Sequence, residues 1–265
     1  MNIVLDVQGL RETQQALVEG FSDRRFGGAM ATALSRTASE TQQAIREKLP
    51  TVFDRPTPWT IGGVGSSPAQ ANRLSASVFI RDRMNDTSRG GRPAAVYLKA
   101  QIDGGSRRLK GIERLLQARG LMPKGWKMVP GRTAILDAYG NFNTNWLTQV
   151  LSQLRVGKKA KPIALGPKRL RTIKRTGGYY FTVLPGDKRG LKPGIVFSEI
   201  GTDKLQSVIR FVPNVNYPKR FDFAADASKI ALARLGPNVN RALDEATRSL
   251  RSRDLGLRKF GLLGG

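Results

Sequence analysis

Histidine and cysteine are absent from all 265 residues. Without histidine there is no imidazole to shuttle protons near neutral pH, to activate a serine, or to hold a transition metal. Without cysteine there are no thiolate nucleophiles, zinc knuckles or disulfides. The absence of cysteine does not identify a redox compartment, because chains lacking it occur in all of them. Long apolar runs are missing too, so no membrane-spanning helix is expected. Met1 to Asp6 lacks the basic region and apolar stretch of a secretory signal, which leads to the expectation of a soluble chain. Acids are scarce, at 20 against 45 lysines and arginines. Catalysis would have to rest on carboxylates, lysine, tyrosine, serine or an oxygen-bound cation such as magnesium.

What is present is enough for a core. Hydrophobic residues make up 40% of the chain, and eleven Phe, five Tyr and three Trp are spread along it, unlike a disordered polycation. The formal charge of +25 is unevenly placed. Residues 1–50 hold six acids and six bases, whereas residues 151–200 hold twelve bases and two acids. Within the latter, Arg155, Lys158, Lys159, Lys161, Lys168, Arg169, Arg171, Lys174 and Arg175 follow one another with no acid between them. Such a run repels itself unless DNA or an acidic partner neutralises it; the alternative is a solvated face that serves solubility. Tyr179, Tyr180 and Phe181 follow directly. They either stack on the bases of a single strand or belong to a β-strand over Tyr179–Leu184, where alternation would bury only some of them.

Periodicity gives an α+β reading for one domain over 1–265. N-terminal helices and a long kinked C-terminal helix are expected to pack with a small, mostly antiparallel sheet. A strand is expected over Ile3–Val7, a helix near 10–18, and a second helix over 28–49. In that second helix Met30, Leu34, Ala38, Ile45 and Leu49 form one stripe, and Pro50 stops it. Residues 51–72, rich in Gly and Pro, read as an extended arm. Strands are expected over Leu74–Arg81 and Ala94–Gln101 around a mobile loop at 82–92. Helices follow over Arg107–Arg119 and Asn145–Arg155, the latter with Gly157 as its stop. Residues 155–212 read as a basic β-rich region with strands near 163–165, 179–184, 194–200 and 205–212. Ala227, Ala231, Leu235, Val239, Leu243, Ala246 and Leu250 keep one helical stripe through Pro237, with Asp222 as its cap. Residues 254–265 read as a flexible tail.

No catalytic, metal or cofactor site emerges. Gly62 to Ser67 lacks the lysine and the strand–helix frame of a phosphate-binding loop. A magnesium nuclease needs converging carboxylates, and neither Asp103, Glu113 and Asp137 nor Glu199 and Asp203 with Lys204 has diagnostic spacing.

Four stretches carry a resemblance: FDRPTPWT (53–60), YLKAQIDGGSRRLKGIERLL (97–116), LDAYGNFNTNWLTQVLSQLR (136–155) and YPKRFDF (217–223). With the order of elements, they resemble virion proteins from the head–tail region of tailed bacteriophages: minor tail, tail-completion or neck proteins. The resemblance implies a non-enzymatic ring subunit that contacts a portal or adaptor, tail-tube or tail-terminator protein, and touches genomic DNA without sequence preference. It places the protein in the virion neck or tail, and in host cytoplasm during assembly, with no cofactor and no membrane. Phe53, Pro56, Pro58 and Trp59 form a stiff apolar arm that either docks into a neighbouring subunit or packs on its own core. A sequence-independent nucleic-acid-binding module and a metal-dependent nuclease are the alternatives.

Overall fold

A computed structural model describes residues 2–6, 23–82, 93–156, 171, 177–202 and 204–259. The architecture is α+β, with a long C-terminal helix and small antiparallel sheets. Where the sequence reads as one domain, the chain divides into two compact units: a host unit, 1–103 with 219–265, and an inserted unit, 104–218.

In the host unit, strand β1 (Asn2–Asp6) leads to helix α1 (Asp23–Val52). The helix expected near 10–18 lies outside the described residues. The stripe of α1 is buried as its period requires: Met30, Leu34, Ala38, Ile45 and Leu49 are all sealed from water. Pro50 does not stop this helix, which runs on to Val52. So near a C-terminus, proline forfeits only one hydrogen bond, and the Phe53 N–H still reaches the Leu49 carbonyl at 2.9 Å.

Residues 51–72 fold more than expected. Thr57 caps a single turn, α2 (Pro58–Ile61), by accepting the Thr60 N–H at 3.1 Å, and Pro58 sits in the first turn where it has no donor to lose. Strand β2 (Val64–Ser67) then pairs with β3 (Ser75–Ile80), which also pairs with β1, so β3 is central in an antiparallel sheet. Ala76, Val78 and Ile80 alternate inward on β3.

Ala94–Gln101 is not a strand but part of helix α3 (Ala94–Ile102). Val96 and Tyr97 suggest β structure, yet Ala94, Leu98 and Ile102 recur at a spacing of four and all are buried. Alanine, leucine, lysine and glutamine also favour helix. The loop expected at 82–92 falls almost wholly outside the described residues.

The host unit closes with α6 (Phe223–Lys259). Asp222 caps it by accepting the Ala225 N–H at 3.2 Å, as expected. One helix continues through Pro237. Its backbone is helical as far as Lys259, inside the stretch 254–265 expected as a flexible tail, the rest of which lies outside the described residues. Helices α1 and α6 run antiparallel, with Ala29 and Ala33 packed on Ala242. At Asn238, which is buried, the side-chain amide donates to the Thr37 hydroxyl and the Glu40 carboxylate, each at 3.1 Å.

The inserted unit begins with β4 (Gly105–Ser106) and α4 (Gly111–Ala118). It continues through β5 (Lys127–Pro130), α5 (Thr144–Gln153), β6 (Gly178–Val183), β7 (Gly194–Glu199), β8 (Leu205–Val212) and β9 (Asn216–Tyr217). Four strands form an antiparallel sheet in the order β5-β8-β7-β6, and β4 pairs with β9. Leu116, Met128, Trp146, Val150, Ile195, Ile209 and Phe211 fill the core between sheet and helices.

Helix α5 ends earlier than Gly157. Arg155 adopts the left-handed conformation (φ 57), and the Val156 N–H bonds back to the Leu151 carbonyl at 3.0 Å. Arginine here does what glycine does in a Schellman cap, with buried Val156 supplying the apolar contact. The strand expected near 163–165 lies outside the described residues.

Candidate anion-binding face

Alternation along the four-stranded sheet divides its side chains between two faces. Tyr180 turns to the core face, where its ring lies 5.0 Å from Phe197 and its hydroxyl accepts the Trp146 Nε1–H at 3.2 Å. Tyr179 and Phe181, its neighbours, therefore project from the opposite face. Their rings are 6.0 Å apart, and Tyr179 is 38% exposed.

A bulge on β8 assembles the rest of this face. The partners step from Ile195↔Ile209 to Val196↔Ser207, skipping Val208. In a regular strand Leu205 and Ser207 would point away from Arg210. The extra residue re-aims them, so all three share one face. With Pro130, Gly131, Arg132, Gly190, Leu191, Lys192 and Val196 they line a hollow of about 590 Å³.

Two loops rim that hollow. Gly131 follows β5 and donates its N–H to the Val208 carbonyl at 3.0 Å. A Cβ there would collide with the Ser207 carbonyl, so only glycine lets the chain run this close before Arg132. The β6–β7 connection folds back over the sheet: the Arg189 guanidinium stands 5.0 Å above the Phe181 ring. Asp187 accepts from Arg189 at 3.0 and 2.8 Å, and this pairing holds the Asp187 carboxyl below its ordinary range and the guanidinium above its own.

Arg132, Lys192 and Arg210 line the hollow, and among the described residues no carboxylate does. The inserted unit as a whole holds twenty-two of the chain's 45 bases but only five of its 20 acids. Such a face attracts phosphates or carboxylates and repels cations.

A second charged group lies inside the same unit. Glu113 is fully buried, and Arg107 donates to its two oxygens at 2.8 and 2.5 Å. The backbone N–H groups of Lys110 and Met128 add bonds of 2.6 and 2.8 Å. Burial would raise the carboxyl's pKa, but the Arg107 fork and these N–H donors outweigh it and hold it below the ordinary value. Lys127 is also buried and donates to the Ser106 hydroxyl; desolvation, then the charge of Arg107, lower its ammonium pKa. These bonds tie β4, α4 and β5 together.

Of the expected site residues, Arg155 is half-buried in its helix cap and Arg171 is exposed. Lys158, Lys159, Lys161, Lys168, Arg169, Lys174 and Arg175 lie outside the described residues. In the arm, Phe53 packs edge-on against Phe221 of its own core, with ring centroids 6.1 Å apart. Pro56 is half-buried, Pro58 is exposed, and Trp59 is 46% exposed.

The acids considered for a nuclease have other partners. Asp103 pairs with Lys99 at 2.6 Å, and Asp137 accepts the N–H groups of Tyr139 and Asn141 at 2.9 Å each. Glu199 accepts from the Thr202 hydroxyl at 3.3 Å, and Asp203 lies outside the described residues. Among the described residues no three acids gather to hold a metal ion, and no helix is long and apolar enough to cross a membrane.

Sequence reasoning missed Arg132, Lys192 and Arg210, because no local pattern reveals a bulge or the folding of a loop over a sheet. Comparison with protein-family models, with curated proteins and with solved structures finds no match to this chain.

Proposed function

We propose that the protein is a structural subunit that holds a strongly anionic partner on the inserted unit, and that its setting is the head–tail region of a tailed-phage particle. The observation that carries the binding role is the hollow bordered by Arg132, Lys192 and Arg210 with no carboxylate among the described residues that line it. Unbalanced cations on a partly apolar floor gain most when an anion displaces their water. The setting rests on the resemblance of the four sequence stretches. In a ring of such subunits, Pro58 and Trp59 would reach a neighbour, while Phe53 is taken by its own core. Repeated basic faces would then meet DNA or an acidic portal or tail protein.

Two measurements test the two parts. Replacing Arg132, Lys192 and Arg210 with glutamine should sharply reduce retention on a polyanion column; unchanged retention removes the face from the binding role. Purified complete particles should contain the protein, and its absence from them overturns the setting.

A further inference from the structure

We propose that the outer face of the β6-β7-β8 sheet binds single-stranded nucleic acid, with a base stacked on Tyr179 and neighbouring phosphates held by Arg132, Lys192 and Arg210. The proposal rests on the reading of this face as the site of an anionic partner, and adds which partner it is.

Cations alone would suit duplex DNA, an acidic protein or a single strand equally well. The aromatic pair separates them. Phe181 pairs with Val196 across β6 and β7, and Val196 forms part of the hollow's floor, so the rings border the floor on the same sheet face as Arg210, which projects from β8 two strands over. Phe181 is in contact with both the Arg189 guanidinium, 5.0 Å above its ring, and the tilted Tyr179 ring. Tyr179 is the exposed member of this aromatic pair. Every nucleobase has a π-face for such a platform, whereas an acidic peptide has none, and a duplex keeps its base faces covered.

The cations complete the geometry. Arginine presents a planar fork that matches phosphate oxygens, and Arg210 projects from the sheet while Arg132 and Lys192 come from the two rimming loops. Among the described residues, the hollow lacks the asparagine, glutamine or acidic side chains that read base edges, and Ser207 is the one side-chain hydroxyl. Binding is accordingly indifferent to base sequence.

The test uses the full-length protein and three probes: a fluorescein-labelled oligothymidylate, a duplex of the same length, and polyglutamate, each titrated across a salt series. Tyr179→Ala is expected to weaken oligothymidylate binding about tenfold or more, with duplex binding and the salt slope unchanged. Tyr179→Phe keeps the ring and should restore it, which excludes a folding defect. Arg132→Gln combined with Arg210→Gln should flatten the log–log salt slope by about 1.4, at about 0.7 per phosphate contact on a single strand. If Tyr179→Ala binds oligothymidylate like the parent, or if polyglutamate competes equally, the single-strand proposal is overturned. The anionic-partner reading survives that result provided the double arginine variant still loses affinity. Failure to bind any of the three probes removes both.

Discussion

The two units use charge in opposite ways. In the host unit the ion pairs lie at the rim: Lys48–Asp226, Arg36–Glu245 and Lys99–Asp103 each have at least one partner well in contact with water. The interior is left to Leu34, Ile45, Val78, Phe223 and a seam of alanines. The inserted unit keeps an exposed pair, Arg189–Asp187, but otherwise places its charges differently. It seals Glu113 and most of Arg107 inside and leaves cations unmatched on its outer face. Water screens the rim pairs, so each contributes little to stability. The sealed pair matters for another reason: removing either partner leaves the other charged and dry. A surplus of positive charge thus stays on the solvated outer face, and one buried acid keeps three segments of that unit together.

The largest effect should come from breaking the sealed pair. Arg107→Met is expected to cost about 3 kcal/mol, near the low end for a broken buried pair because the guanidinium keeps slight contact with water. Hydrogen exchange should then show protection lost across 104–218 and kept across 23–52 and 223–259; equal loss in both would erase the contrast between the units. The same carboxylate sets a pH response. Because its folded pKa is lowered, its stabilisation is fully present above its unfolded pKa and fades as pH falls through the depressed folded value. Acid should therefore open the inserted unit over that window, and Glu113→Gln should abolish that component of the titration.

Ile45→Ala tests the host unit in turn, with an expected cost of about 2–4 kcal/mol from a cavity in its core. Exchange should rise in α1 and α6, with the β6–β8 sheet unaffected. Asn238→Ala removes the buried amide beside Pro237 and leaves Thr37 and Glu40 without its N–H groups. A loss of about 1–2 kcal/mol is expected in denaturant unfolding. At the bottom of the scale, Lys99→Ala should change stability by less than about 0.5 kcal/mol. A larger change would mean that rim pairs carry more of the host unit than their exposure implies.

Much of this fold was legible because it is written in local period. The stripe of α1, the strand Leu205–Val212, the cap at Asp222 and the continuity of α6 through Pro237 all follow from spacing and side-chain chemistry. The errors share a physical origin in short segments with mixed signals. Val96 and Tyr97 disguise a helix, and Pro58 serves as helix starter where it resembles a breaker. Strand β5 has four residues ending in proline, so no alternation marks it. The site was less legible than the fold. Tyr179 and Phe181 were visible as aromatics, but which of three consecutive rings faces outward depends on register. Arg210 joins Leu205 only because Val208 is skipped by its partner strand.

The chain crosses between units at two places, and each unit fastens its own side of that crossing. In the host unit the N–H groups of Arg220 and Phe221 reach the Gln101 carbonyl at 2.8 and 3.3 Å; in the inserted unit Gly105 pairs with Tyr217. To the host unit, everything from 104 to 218 is topologically a long loop whose ends are already fixed. Lengthening such a loop adds closure entropy only logarithmically. Insertions, deletions and drift in charge can accumulate inside the inserted unit without altering the junction, so the proposed binding face can change while the helical frame stays as it is.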